Sequence, residues 1–305
     1  MKPVTAVCYN RFEMRPLRVS AISFLNTAPL MWDFNHGATP EQYSDNTLPR
    51  ELRSDFTIEY TVPSNCAEAL QCGDADIGII PAITYATIPG LVILPDAAIA
   101  AKSAVRSILL VSHKPIEQVN TIAADTSSRS SVALARILCR KLWGRERQFR
   151  NFPPDLASML AACDAALLIG DPALRIERTR YFVYDLAEEW RRFTGKPFVF
   201  AFWAVRLQAL SEIRRSLDVA AVFRNSRDHG IQPASIAEIA RRWSARVGLS
   251  EPEVAAYLTE NIHFFLDAEN LEGLELFFRY SMECGVIEEA PSLRFLVMAA
   301  PQFVG

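Results

Sequence analysis

Four short stretches of this chain place small hydrogen-bonding side chains where an apolar run gives way to a helical pattern. They are Ser23, Asn26 and Thr27 in SFLNT, Ser64 and Asn65 in VPSNC, Thr126, Ser127 and Ser130 in DTSSRSS, and Gly170 with Asp171 in IGDPA. The start of a helix leaves backbone N–H groups unpaired and carries a partial positive charge, so a hydroxyl or amide beside it completes a site for a carboxylate or another anion. Each turn alone has an everyday explanation, because Ser, Thr and Asn are ordinary N-caps that satisfy those N–H groups themselves. Four turns of one character, one of them with four serines and a threonine in the six positions TSSRSS, exceed what capping requires.

Other candidates are open to two readings. Asp171 follows a buried apolar run and a glycine, where it can act as a base or cap the helix before Pro172. Arg106 and Arg206 can pair a ligand carboxylate bidentately or serve as surface ion-pair partners. Trp203 and Phe202 can wall a ring-shaped ligand or pack the core. Asp74 and Asp76, in GDADIG, are adequately explained by a solvated turn.

Several chemistries are disfavoured. The chain has no G-x-G-x-x-G, P-loop, G-x-S-x-G or H-E-x-x-H pattern. Its four histidines are scattered, and its six cysteines (Cys8, Cys66, Cys72, Cys139, Cys163, Cys284) show no ligand spacing. The expectation is therefore no metal and no cofactor. With 32 basic against 35 acidic residues, a net charge of −3 and only short basic clusters such as RKLWGRERQFR, no nucleic-acid or anionic-membrane footprint exists. The longest apolar run, FVFAFWAV, is far short of the roughly 18 residues of a membrane helix. The first fifteen residues have no apolar secretion segment, which with the unpaired-looking cysteines reads as a cytoplasmic protein with reduced thiols.

The elements that must position these residues are strands alternating with helices, from LRVSAISF, FTIEYTVP and ADIGIIPA through VRSILLVS, TIAAD, AALLIG and YFVYDL. This is an α/β pattern with largely parallel sheets. From about Leu207 onward it turns wholly helical. Two stretches, 101–107 and 196–206, read as crossings between halves. They predict a discontinuous first lobe (1–103 and 200–305), an inserted second lobe (104–199), and a ligand cleft between them.

RVSAISFLNTAPL, VPSNCAEALQCGDADIGIIPA, DTSSRSSVALARIL, LLIGDPALR and YDLAEEWRRFTGKPFVFAFWAVR together resemble, in order and spacing, the chorismate dehydratases of the futalosine route to menaquinone. The resemblance runs from about Leu17 to Val286; the first sixteen residues and the tail after about Glu288 fall outside it. It implies a two-lobed type II periplasmic-binding-protein-like fold, used in the cytoplasm by a cofactor-free hydro-lyase that converts chorismate to 3-[(1-carboxyvinyl)oxy]benzoate. On that match Asn26 is the family's active-site asparagine. Ser23, Thr27, Ser64, Asn65, Arg106, Ser107, Thr126, Ser127, Ser130, Gly170 and Trp203 form the candidate substrate-binding set. In that family the substrate's own enolpyruvyl carboxylate is held to take the proton, and the lack of a histidine in these motifs agrees; Asp171 is the runner-up base. Two other functions share the fold: a solute-binding protein for a small carboxylate, and a related later enzyme of the same pathway. The SFLNTAPL turn favours the dehydratase.

Overall fold

The computed structural model of the chain describes residues 15–36, 55–212 and 217–297; Cys8 lies outside them. Two sheets organise the molecule. The first contains β1 (Leu17–Ile22), β2 (Phe56–Thr61), β3 (Ile77–Pro81), β4 (Leu91–Ala101), β10 (Phe198–Arg206) and β11 (His263–Phe265), in the order β11-β4-β10-β3-β1-β2. The second contains β5 (Ile108–Ser112), β6 (Thr121–Asp125), β7 (Gln148–Phe152), β8 (Ala165–Ile169) and β9 (Phe182–Asp185), in the order β7-β6-β8-β5-β9.

The expectation of largely parallel sheets is corrected. β1 runs parallel to β2 and β3, and β6 to β7 and β8, but β10 is antiparallel to β3 and β4, and β5 to β8 and β9. Apolar periodicity reveals strands but not their direction. β5 and β10 arrive by crossing from one sheet to the other, so neither completes the strand–helix–strand return within one sheet that sets neighbours parallel. The wholly helical reading after Leu207 also gives way, since β11 adds an edge strand that pairs with β4. β4 itself escaped the pattern because LVILPDAAIAA carries Pro95 in mid-run.

Ten helices are used below or pack around these sheets: α1 (Trp32–His36), α2 (Pro63–Cys72), α3 (Ser130–Lys141), α4 (Leu156–Ala162), α5 (Asp171–Leu174), α6 (Leu186–Thr194), α7 (Val219–Gly230), α8 (Pro233–Val247), α9 (Glu251–Ala256) and α10 (Ala268–Glu283). Trp203 and Phe202 are core residues. Trp203 is 0% exposed and packs its ring 4.6 Å from that of Phe223 on α7, so it cannot wall a ligand. α7 also fixes the chain after β1: the Ser226 hydroxyl donates to the Leu30 carbonyl (2.9 Å) and accepts from the Asp33 N–H (3.0 Å). At Gly230 the backbone of Pro29 comes so close that a Cβ would sit 1.9 Å from its carbonyl oxygen.

Asp76 corrects a second reading. It is no solvated turn residue but 0% exposed, and it accepts hydrogen bonds from the Arg18 N–H (2.9 Å) and from the guanidinium groups of Arg15 and Arg18. Burial alone would raise its carboxyl; the bonds to Arg15 and Arg18 outweigh that and hold it well below the usual carboxylate range. Beyond Glu288 the tail pairs on β4, where Ile93 donates to the Arg294 carbonyl and accepts from the Leu296 N–H.

Candidate functional site

The four turns meet in two pairs, each pair joining one sheet to the other. The turn after β1 faces the turn after β8: the Leu25 N–H donates to Asp171 Oδ1 at 3.0 Å, and the Phe24 ring lies over Gly170. The start of α2 faces the start of α3: the Ser64 N–H donates to the Ser127 carbonyl at 3.2 Å, and Arg129 pairs with Glu68 at 2.7 Å. The Ser130 hydroxyl reaches further, accepting from the Ile83 N–H at 3.1 Å.

In none of the four does a polar side chain cap its helix. The N-cap positions are held by Phe24, Val62, Arg129 and Gly170, without a side-chain bond to the first turn. The everyday explanation for these residues is therefore removed. The DTSSRSS turn is braced from beneath instead: Asp125 Oδ1 accepts from both the N–H and the hydroxyl of Ser127, at 2.9 and 2.6 Å. Burial raises the Asp125 carboxyl, and the bonds from Ser127 pull it partly back.

Between the two pairs lies a cavity of about 430 Å³, counting its mouth. Asn26, Ser130 and Gly170 of the candidate set line it, together with Phe24, Pro63, Pro81, Ser128, Arg129, Ser131 and Phe200. Ser128, Arg129 and Ser131 sit inside a motif already singled out, and their place beside Ser127 and Ser130 at the helix start was the signal that could have found them. Ser130 and Ser131 open the twelve-residue α3, so the uncapped N–H groups and the positive end of its dipole face the cavity. Arg129 is the one charged residue among those lining it.

The remaining candidates lie elsewhere. Ser23 and Thr27 line a neighbouring groove with Trp243 and Arg246, where Arg246 donates to the Ser23 carbonyl at 3.1 Å. Asn65 is exposed and bonds Thr61, and the N–H of exposed Thr126 bonds the Phe152 carbonyl. Arg106 does not line the cavity. Its backbone takes φ of 63° and its N–H donates to Asp185 at 2.7 Å, so its role in the crossing belongs to the main chain. Ser107 is wholly buried; its carbonyl accepts from the Gly170 N–H at 2.8 Å. Asp171 sits just behind the cavity wall. Burial pushes its carboxyl above the ordinary range, while the Leu25 N–H and the more distant Arg246 and Arg175 pull it partly back.

One residue of the site was missed. Tyr257 is 1% exposed and donates its hydroxyl hydrogen to Ser107 Oγ at 2.8 Å, with Asn26 beside it. Burial raises its phenol far above the usual value. Nothing in EPEVAAYLTENIHFFL separates it from an ordinary core aromatic on a helix. Among the described residues no cluster of three His, Cys, Asp or Glu side chains could hold a metal ion, and no helix is long and apolar enough to cross a membrane.

The menaquinone biosynthesis family model matches residues 17–283. A chorismate dehydratase of Thermus thermophilus is 28% identical over 230 residues, covering 65% of this chain and 83% of that protein. Among solved structures, a protein of Archaeoglobus fulgidus superposes with a TM-score of 0.65 at 15% identity, over 89% of this chain and 98% of the other. The periplasmic aliphatic sulphonate binding protein of Escherichia coli gives 0.59 at 16% identity, over 90% and 94%. A Candida albicans protein described as having the generic periplasmic binding protein fold gives 0.58 at 14%, over 94% and 99%. At such identities the likeness shows the fold alone: a two-lobed, periplasmic-binding-protein-like α/β architecture.

Proposed function

Since the chain belongs to the menaquinone biosynthesis family and is an enzyme, we propose that it is the hydro-lyase that dehydrates chorismate to 3-[(1-carboxyvinyl)oxy]benzoate. The observation that carries this reading is the cavity between the paired turns, whose polar lining is neutral apart from Arg129. Chorismate brings two carboxylates and one ring hydroxyl. Losing the proton on the ether-bearing ring carbon sends negative charge through the diene into the ring carboxylate, and fixed N–H groups and hydroxyls stabilise charge at that point. The open start of α3, with Ser130 and Ser131, supplies them.

In this reading the enolpyruvyl carboxylate takes the proton, the bond from the neighbouring ring carbon to its hydroxyl breaks, and hydroxide and proton leave together as water. The ring becomes aromatic, so the products lie well downhill and no cofactor is required. Asn26 holds the substrate or its departing hydroxyl while adding no charge that would repel a dianion. The lobes of the proposal are 1–103 with 200–305, and 104–199. The free cysteines among the described residues suit a reducing cytoplasm.

The test is to incubate purified protein with chorismate and a chelator and to follow products by chromatography. Formation of the enolpyruvyl benzoate is expected. The likeness to a sulphonate-binding protein supports the other reading, a solute-binding protein for a small anion. Chorismate bound stoichiometrically and recovered unchanged would favour that reading and overturn the dehydratase.

A further inference from the structure

The short basic cluster RKLWGRERQFR, residues 140–150, has no part in the cavity between the paired turns. It folds around a second one. We infer that this basic cavity, between α3, the start of β7 and the end of α10, is a binding site for a small oxyanion with two or more negative charges, a phosphate ester or a polycarboxylate. The two cavities share no lining residue, and Arg140 stands about 15 Å along α3 from Ser130 at a rise of 1.5 Å per residue. A volume of about 710 Å³, counting the mouth, suits a small molecule rather than a polymer.

Three guanidinium groups line the cavity, those of Arg136, Arg140 and Arg147, against the single carboxylate of Glu146. Arg147 is only 8% exposed. Its guanidinium donates to the carbonyls of Val119 (3.1 Å), Arg145 (2.9 Å) and Ile116 (2.8 Å), and among the described residues it has no carboxylate partner. Carbonyls satisfy N–H groups without cancelling the charge, and a buried charge with no counter-ion is costly. Arg136 lies with its guanidinium carbon 4.4 Å from the centre of the Phe149 ring and likewise has no carboxylate partner among the described residues. Stacking on a ring holds the guanidinium flat while leaving its N–H edge free for a bidentate carboxylate or phosphate.

Arg140 is loosely held, by Glu146 at 3.6 Å and by the Cys284 carbonyl at 3.4 Å. The Glu146 side chain is 78% exposed, so this pair does little to neutralise the cavity. Basic residues in the last turn of a helix complement its dipole, and Lys141, paired with Glu283 at 2.5 Å, is accounted for in that way. Arg136 stands more than a turn earlier and Arg147 lies outside the helix, so the dipole explains neither. The remaining wall, Cys284 to Val286, follows α10, which packs on α3. An anion seated here ties the two helices together.

The experiment titrates wild type and R136A/R140A with pyrophosphate and with citrate, using potassium chloride at equal ionic strength as the control. Both substituted residues are exposed, so the fold should be kept. At a hundred times its Kd the bound anion should raise the wild-type melting temperature by about 4 °C, and chloride should not. Kd should weaken about tenfold or more in R136A/R140A, as expected when charge-assisted bonds are lost. Tighter pyrophosphate marks the natural ligand as a phosphate ester, and tighter citrate marks it as a polycarboxylate. A second readout needs no variant: the anion should slow alkylation of wall residue Cys284 in wild type, read by peptide mass spectrometry against exposed Cys72 outside the cavity. Failure of both anions to bind, a Kd unchanged in R136A/R140A, or unprotected Cys284 at saturation would each overturn the site. Neither readout involves turnover, so the site stands or falls separately from the proposed dehydration.

Discussion

Asp171 accepts a hydrogen bond from the backbone N–H of Leu25, 146 residues away, and so latches the turn after β8 to the turn after β1 at 3.0 Å. Asparagine can accept the same bond, so D171N should keep the latch. It also removes a buried charge. Burial raises the folded-state pKa of Asp171, which means the ionised form costs stability above that pKa and the cost disappears as falling pH protonates the group. D171N should therefore melt at or above the wild-type temperature at pH 8, with the difference vanishing toward pH 4. With one oxygen engaged and the side chain behind the cavity wall, turnover should stay within about tenfold. A general base contributes roughly a hundredfold or more, so a loss of that size in chorismate turnover would make Asp171 the proton acceptor.

Gly170 is the second half of the same junction. Its φ of 64° and ψ of −146° suit glycine alone, and a Cβ would lie 2.6 Å from the Phe24 ring. G170A should cost about 1–3 kcal/mol of stability and push Phe24 into the cavity that both residues line. KM for chorismate should rise more than kcat falls. Melting and kinetics on one preparation check this, and a G170A protein with wild-type KM would show that the junction does not shape the cavity.

The turns were legible in sequence because their chemistry is local: small polar residues at the end of an apolar run mark a helix start whatever lies around it. Asn26, Ser130 and Gly170 reach the cavity in this way. Which face of a turn looks inward is not local. Thr126 and Ser127 are neighbours in DTSSRSS, yet one is exposed and the other is tied to Asp125. Trp203 and Arg106 misled for the same reason, since a buried ring and a left-handed backbone are set by partners, Phe223 and Asp185, that are distant in sequence. Tyr257 was invisible because its one distinguishing feature, a π turn in place of an α turn, is a matter of backbone hydrogen bonding.

Asp76 offers a test of stability apart from the site. Its carboxyl is depressed in the folded protein, so its contribution is fully present above about pH 4, the unfolded value, and is lost as pH falls toward the folded one. D76N should be less stable by roughly 1–2 kcal/mol at pH 7, because a buried carboxylate loses its charge opposite the half-exposed guanidinium groups of Arg15 and Arg18, whose solvent screening tempers the loss. The gap should narrow below pH 4. Denaturant titrations at pH 7 and pH 3.5 measure it, and an equal gap at both would show that the charge of Asp76 is not what matters. Chorismate turnover per folded molecule should be unchanged.

Asn26→Asp separates a role toward substrate from a role in the fold. If Asn26 served only to begin a helix, Asp would do equally well, since both are good caps and a negative charge suits a helix start. The structure already shows no side-chain cap at this turn and places Asn26, 9% exposed, on the cavity wall. An ionised Asp there would face a dianionic substrate, with buried Asp171 also near the Tyr257 hydroxyl. Losing one positioned amide contact typically costs roughly 3 kcal/mol, or on the order of a hundredfold in rate. Melting temperature should change little, while chorismate turnover should fall by about that factor at pH 8. The defect should shrink as pH falls toward 5, because burial and the neighbouring carboxylate raise the pKa of the new group and protonation removes its charge. A variant that melts normally and turns over chorismate at a near-normal rate across that range would remove Asn26 from the site.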